Sequence, residues 1–118
     1  MSTEALRQAL AQTREIEMTT IGRTTGGPVT LPIWFVLEET ALFLLPLRGS
    51  DTGWYKNLQS DPTITIAPGQ DERTASAVLI TDSAAVADVV DAFRAKYGEE
   101  DVQAYYPKTD VAVAVPLG

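Results

Sequence analysis

Three groups of residues carry the side chains that could do chemistry in this chain of 118 residues. The first lies in residues 22–27, where an arginine, two hydroxyls and glycine-exposed backbone amides could together hold a phosphate or a carboxylate. Its side chains are Arg23, Thr24 and Thr25. The segment lacks the lysine of a P-loop, and it could equally form a hairpin turn with a solvated arginine.

The second group lies in residues 47–58, which place cations, a hydroxyl and two aromatic rings in one loop and the helical turn after it. The residues that could contact a ligand are Arg48, Gly49, Ser50, Trp54 and Tyr55. Trp54 and Leu58 are four residues apart, so they could instead pack into the end of a barrel while Lys56 lies in solvent. From the residues alone both interpretations stay open.

The third group consists of tyrosines in the last part of the chain, Tyr97, Tyr105 and Tyr106. Their phenols could face a flat substrate or a cofactor ring, or they could pack on a sheet. Asp88, Asp91 and the acidic run at 99–101 are typical of solvated helix faces and turns. We expect no catalytic role for these acids.

The amino-acid composition excludes several functional classes. The chain contains no cysteine and no histidine, which excludes the usual serine or cysteine triads and zinc–thiolate sites, and we expect no metal. Redox chemistry would therefore come with a bound cofactor. The formal charge of −7 argues against binding to nucleic acid or to an anionic membrane surface.

The sequence also predicts where the protein is found. No stretch approaches the roughly 20 apolar residues of a membrane span, and the first ten residues do not have the pattern of a signal peptide. Because cysteine is absent as well, we expect a cytoplasmic protein.

The spacing of apolar and turn residues predicts one domain over 1–118. A short helix over 1–14, capped by Ser2 or Thr3, precedes the main barrel strands over 15–82, a helix over 83–98, and a connecting segment with a closing strand over 99–118. Within the barrel region we expect a strand from 15 that ends at the turn 22–28, a hairpin of 29–37 with 41–47, a short helix over 54–59, and strands 63–67 and 74–81 joined by a turn at 68–72.

Strands joined mainly by hairpins, with helices at the start, in the middle and before the last strand, predict an α+β chain with a small antiparallel barrel. The interior of so short a barrel has little free space. A large ligand would therefore lie outside the barrel or in a groove shared with a partner.

Residues 15–67 resemble, in order and spacing, the deazaflavin-dependent nitroreductase family of the flavin and deazaflavin oxidoreductases. The similarity is carried by MTTIGRTTGGPVTLP from Met18, by PLRGS from Pro46 and by GWYKNLQSDPTITI from Gly53, of which the WYxNLxxxP block is the most specific part. That family has the split β-barrel of pyridoxamine 5'-phosphate oxidase. The resemblance implies a small antiparallel split β-barrel with short flanking helices, and assembly as a homodimer.

The resemblance also implies a cofactor, namely coenzyme F-420, which is a deazaflavin, with FMN as the alternative. It places Arg23, Thr24 and Thr25 near the phosphate or acidic tail of the cofactor. The residues beside its phosphate and ring would be Arg48, Gly49, Ser50, Trp54 and Tyr55. The tyrosines Tyr97, Tyr105 and Tyr106 would border the substrate.

The predicted function is that of an F-420-dependent oxidoreductase that reduces a small unsaturated or quinone-like molecule. The first alternative is a split-barrel protein that binds a flavin, haem or another ligand without turnover. The second is a purely structural interaction domain.

Overall fold

Eight strands and four helices make up the residues that the computed structural model describes, 3–68 and 72–117. The helices are α1 (Thr3–Ala11), α2 (Gly53–Ser60), α3 (Ser83–Tyr97) and α4 (Glu99–Tyr105). The strands are β1 (Glu15–Ile21), β2 (Pro28–Trp34), β3 (Val36–Leu37), β4 (Ala41–Leu44), β5 (Thr63–Ala67), β6 (Arg73–Ser76), β7 (Val78–Ile80) and β8 (Ala112–Pro116). The expected cap Ser2 and the middle of the expected turn at 68–72 lie outside the described residues.

Two four-stranded antiparallel sheets form the barrel. The first has the order β2–β1–β5–β6 and the second the order β3–β4–β8–β7. Alternate residues of β1 point into the barrel, so that Ile16, Met18 and Thr20 are buried, as their spacing predicts. The predicted α+β class with a small antiparallel barrel is confirmed.

The chain crosses from the first sheet to the second at Phe35. The sequence predicts a single strand over 29–37 that pairs with 41–47, and this is wrong for most of its length. β2 pairs instead with β1, and only β3 forms the hairpin with β4. The crossing is held by Tyr97, whose hydroxyl accepts from the Phe35 N–H at 3.0 Å, so that this backbone donor is satisfied without a neighbouring strand.

A second crossing divides the predicted strand 74–81 at Ala77. The Ala77 N–H donates to the carbonyl of Pro62 at 2.8 Å. β6 before it pairs with β5, and β7 after it pairs with β8. The prediction of one continuous strand is therefore wrong here as well, because no glycine or proline marks the break at Ala77.

Two clusters of buried side chains lie on either side of the second sheet. One fills the barrel and includes Met18, Ile64, Ile66 and Val113. The other lies under α3 and α4 and contains the predicted apolar face of α3, namely Val86, Val89, Val90, Phe93 and Tyr97. The Asp82 carboxylate caps α3 by accepting from the Ala85 N–H at 3.0 Å. None of the helices in the described ranges is long and apolar enough to cross a bilayer.

The sequence predicts only a connecting segment between α3 and the closing strand, and the structure forms the helix α4 there. Gly98, with φ of +96°, permits the change of direction after α3. Three acids, Glu99, Glu100 and Asp101, occupy the first turn of α4, where the positive end of the helix dipole favours them. The end of α4 brings Tyr105 and Tyr106 back toward the barrel.

The outer face of the first sheet carries a row of threonines across all four strands. Thr30, Thr19, Thr65 and Thr74 lie opposite one another in register. The hydroxyls of Thr19 and Thr30 are 2.7 Å apart and those of Thr65 and Thr74 are 2.8 Å apart. At one edge of this sheet, β2 carries prolines at positions 28 and 32.

Candidate functional site

A cleft of about 230 Å³ opens where the start of β1, the end of β2, the loop after β4 and the end of α4 meet. Its lining is mostly apolar and consists of Glu15, Pro32, Ile33, Trp34, Leu47, Tyr105 and Tyr106. Two larger grooves beside α3, of about 390 and 510 Å³, contain none of the site residues predicted from the sequence. The cleft is therefore the candidate site.

Trp34 is the centre of the aromatic wall. Tyr97 stacks on its indole with ring centroids 4.2 Å apart and planes 7° apart. Tyr105 and Tyr106 meet it edge-on, with centroids at 4.9 and 6.3 Å. Two of the three predicted tyrosines thus line the cleft, and Tyr97 supports Trp34 from behind.

The tyrosine hydroxyls differ in their surroundings. The Tyr97 hydroxyl has one proton for two acceptors, the carbonyls of Arg14 and Phe35, each at 2.8 Å. Burial raises the pKa of Tyr97 and of Tyr106, so both phenols are neutral donors around neutral pH. Tyr105 is 53% exposed, and its hydroxyl is the accessible phenol of the cleft.

The loop after β4 brings one of the predicted cations to the cleft. Leu47 lines the cleft, and Arg48 follows it with an exposed side chain. The Arg48 N–H donates to the Thr52 hydroxyl at 2.8 Å, and Gly49 turns the loop with φ of +55°. Within the described residues the Arg48 guanidinium has no hydrogen-bond or ion-pair partner, which leaves it available to an anionic ligand.

Asp110 already occupies the next part of this loop. Its carboxylate accepts from the Ser50 N–H at 2.9 Å and from the Ser50 hydroxyl at 2.6 Å. The hydrogen bond from the Ser50 hydroxyl is the main reason that the pKa of Asp110 lies below its ordinary value. Lys108 pairs with Asp51 at 2.9 Å and lies 3.8 Å from Asp110. Ser50 could therefore contact a ligand only after releasing Asp110, and ligand contact by Arg48, Gly49 and Ser50 stays a prediction.

The glycine-rich segment at 22–27 is a hairpin turn between β1 and β2, closed by the Gly22 N–H to the Gly27 carbonyl at 2.8 Å. The Arg23 guanidinium donates to Asn57 Oδ1 at 2.7 Å and to the Gly53 carbonyl at 3.1 Å. This ties the turn to α2, away from the cleft lining. The exposed hydroxyls of Thr24 and Thr25 lie in the same turn, and ligand contact by these three residues stays a prediction.

The two aromatic residues of the WYxNL block are buried in the barrel. Trp54 is 5% exposed and Tyr55 is 1% exposed, and both pack in the cluster that contains Leu58. The indole Nε1 of Trp54 has no hydrogen-bond partner among the residues described. The structure thus places Trp54 with Leu58, as the packing interpretation expects, and buries Tyr55 as well, so that neither ring lines the cleft.

The sequence did not single out Trp34 or Arg14 as site residues. Trp34 lies at the end of an apolar strand, where an aromatic residue is common in any sheet. Arg14 is an isolated cation before β1, and its Cζ lies 5.6 Å from the Trp34 ring centroid and 5.0 Å from that of Tyr97. Since Tyr97 is 63 residues further along the chain than Trp34, only the fold brings the three together.

The fold and the cleft define the class of this protein, which is an α+β barrel protein with an aromatic cleft bordered by an arginine. The chain belongs to the family described as "Uncharacterized protein conserved in bacteria (DUF2255)", whose model matches residues 7–115. A comparison with curated proteins found no match.

Many solved structures share the fold, and three of them are described here. The F420-H2 dependent reductase FDR-A aligns with a TM-score of 0.67 and 18% identity over 86% of this chain and 93% of that one. A structure described as a domain-swapped dimer gives 0.69 and 17% over 95% and 94%. HutZ, a haem storage protein from Vibrio cholerae, gives 0.71 and 15% over 96% and 87%. These likenesses confirm the split β-barrel that the sequence predicts.

Proposed function

We propose that the protein is a deazaflavin-dependent reductase that uses coenzyme F-420 to reduce a small unsaturated or quinone-like molecule in the Trp34 cleft. The observation that carries the proposal is the aromatic cleft with the partner-free guanidinium of Arg48 at its edge. The resemblance of residues 15–67 to the deazaflavin-dependent nitroreductases and the shared fold with an F420-H2 dependent reductase support it.

In this proposal the residues of the chain bind and orient the cofactor and the substrate. The cofactor, when bound, supplies the hydride. Trp34 offers an indole already fixed by Tyr97, against which a flat ring can stack. Arg48 holds an anionic group of the cofactor by charge-assisted hydrogen bonds. The apolar lining excludes water from the ring, and the accessible hydroxyl of Tyr105 donates a hydrogen bond to the product.

The second candidate is a split barrel that binds a flavin or haem without turnover. The small number of partner-free cations favours it, because a polyanionic cofactor needs more positive charge than Arg48 provides. Among these ligands a flavin suits the chain better than haem. The sequence has no histidine or cysteine to ligate iron, and Met18 is fully buried in the barrel.

The proposed assembly is a homodimer in the cytoplasm. The threonine row lies on the outer face of the first sheet, where its hydroxyls form hydrogen bonds with one another. A solved structure with the same fold is described as a domain-swapped dimer. A chain without cysteine suits a reducing compartment. Light scattering on the purified protein tests the assembly, and a monomer mass at micromolar concentration would contradict it.

Titration of the purified protein with coenzyme F-420 and with FMN, followed by tryptophan fluorescence, tests the cofactor. We expect micromolar binding of the deazaflavin, weakened roughly tenfold by Arg48→Ala because a charge-assisted contact is lost. Lys56→Ala is the matched control, since it removes an exposed charge from the adjacent helix. If neither cofactor binds below the millimolar range, the proposal is wrong.

Turnover separates the two candidates. If the protein is a reductase, it accelerates the oxidation of reduced F-420 by a soluble quinone. The rate of this oxidation should fall in Trp34→Ala. A binding protein retains the cofactor in the titration and gives no turnover above the rate without protein.

A further inference from the structure

The distribution of hydrogen-bond partners among the cations identifies a second position for an anion. The chain has nine lysines and arginines, all within the described ranges. Six donate to a carboxylate, a carbonyl or an amide oxygen, namely Arg7, Arg23, Arg73, Arg94, Lys96 and Lys108. The side chains of the remaining three, Arg14, Arg48 and Lys56, have no hydrogen-bond or ion-pair partner among the described residues.

Two of these three are next to lining residues of the cleft in sequence. Arg48 follows Leu47, and Arg14 precedes Glu15, with its Cζ 5.6 Å from the ring centroid of the lining residue Trp34. Lys56 lies on the exposed side of α2 and neighbours no lining residue in sequence. The Arg14 and Arg48 side chains are both exposed, so each guanidinium can reach an anionic ligand.

Arg14 is held in place at both its backbone and its side chain. The Tyr97 hydroxyl is 2.8 Å from the Arg14 carbonyl oxygen. The guanidinium lies 5.0 Å from the Tyr97 ring centroid and 5.6 Å from that of Trp34. Such cation–π contacts leave the in-plane N–H donors free, and these match the two oxygens of a carboxylate.

The charge around Arg14 also favours an anion. Lys96 lies on the same aromatic group, with Nζ 5.0 Å from the Tyr97 centroid. Burial, and after it the charge of Arg14, lowers the pKa of Lys96, so the two cations are close enough to repel each other. Glu15, next to Arg14 in sequence, is the carboxylate of the cleft lining.

We propose that Arg14 binds the carboxylate of the substrate, and that the substrates are small, flat, conjugated carboxylic acids. The assignment to a substrate rests on the proposed function, in which Arg48 takes the anionic group of the cofactor. The cleft of about 230 Å³ holds one ring with a short unsaturated side chain. The ring then occupies the cleft, with its carboxylate toward Arg14.

The test uses trans-cinnamate and its neutral analogue cinnamamide, titrated into the cofactor-free protein and followed by the indole and backbone N–H signals in NMR spectra. We expect cinnamate to bind roughly tenfold or more tightly than cinnamamide, as a charge-assisted pair would give. Arg14→Gln should abolish this preference and leave cinnamamide binding unchanged. Arg14→Lys should keep part of it, and the matched control Lys56→Gln should keep all of it.

Equal binding of acid and amide by the wild type, a preference that survives in Arg14→Gln, or no binding of either at millimolar concentration would each overturn the proposal. The titration contains no cofactor, so its outcome is separate from that of the F-420 titration. A preference for cinnamate without F-420 or FMN binding would support the anion site and reject the reductase. F-420 binding without a preference for cinnamate would support the cofactor site and reject the anion site at Arg14.

Discussion

Removal of the Tyr97 hydroxyl should lower the stability of the fold, because this one oxygen makes several hydrogen bonds to backbone groups. It lies within hydrogen-bond distance of three backbone groups from two residues. These are the carbonyl of Arg14 and both the N–H and the carbonyl of Phe35. Tyr97→Phe keeps the ring stacked on Trp34 but deletes the oxygen. The residue is only 5% exposed, so water cannot easily replace the lost partner.

The size of the effect follows from the groups left behind. Each hydrogen bond contributes about 1 kcal/mol net, and a buried N–H without a partner adds about 1 kcal/mol or more. We expect Tyr97→Phe to lower the free energy of unfolding by about 2–3 kcal/mol. For a chain of this length that lowers Tm by about 8–12 °C.

Urea denaturation followed by circular dichroism measures the change in unfolding free energy. Tyr105→Phe is the matched control, because Tyr105 is 53% exposed and its hydroxyl makes no hydrogen bond within the described part of the chain. It should change stability by less than about 0.5 kcal/mol. If Tyr97→Phe were as stable as this control, the bridge at Phe35 would not hold the crossing between the sheets.

Two further predictions concern the loop beside the cleft. Gly49→Ala should destabilise the protein by about 2 kcal/mol in the same denaturation assay, because Gly49 has φ of +55° and a Cβ there would collide with the Asp110 carboxylate; Gly53→Ala, which meets nothing, should be neutral or slightly stabilising. Asp110→Asn should lower stability at neutral pH. Because the folded-state pKa of Asp110 lies below its ordinary value of 3.8, this difference is full above that value and should vanish as the pH falls through the lowered pKa, and a constant difference down to pH about 2 would contradict it.

The order of elements could be predicted from the sequence because their signals are local. Each signal lies within a single element of the chain. These signals are the alternation of apolar and polar residues in β1, the Asp82 cap and the apolar face of α3. The crossings at Phe35 and Ala77 could not be predicted in the same way. They depend on partners far along the chain, the hydroxyl of Tyr97 and the carbonyl of Pro62.

The candidate site was only partly predictable for the same reason. The sequence singles out Tyr105, Tyr106 and Arg48, and the structure places both tyrosines in the cleft lining and Arg48 next to the lining residue Leu47. Trp34, in the centre of the wall, was not, since a tryptophan at a strand end has no local signal of function. The hydroxyl of Ser50 looked available in the sequence, and nothing local shows that Asp110 already binds it.

The two prolines of β2 bear on how this protein avoids aggregation. An edge strand with a full set of N–H donors can recruit a strand from another molecule and start a fibril. Only alternate residues of β2, at positions 28, 30, 32 and 34, face away from β1, and Pro28 and Pro32 remove two of these four donors, so a foreign strand cannot form a continuous ladder along the edge. Replacing both would create an edge open to intermolecular pairing, and the first sign would be light scattering in concentrated solution rather than a loss of stability.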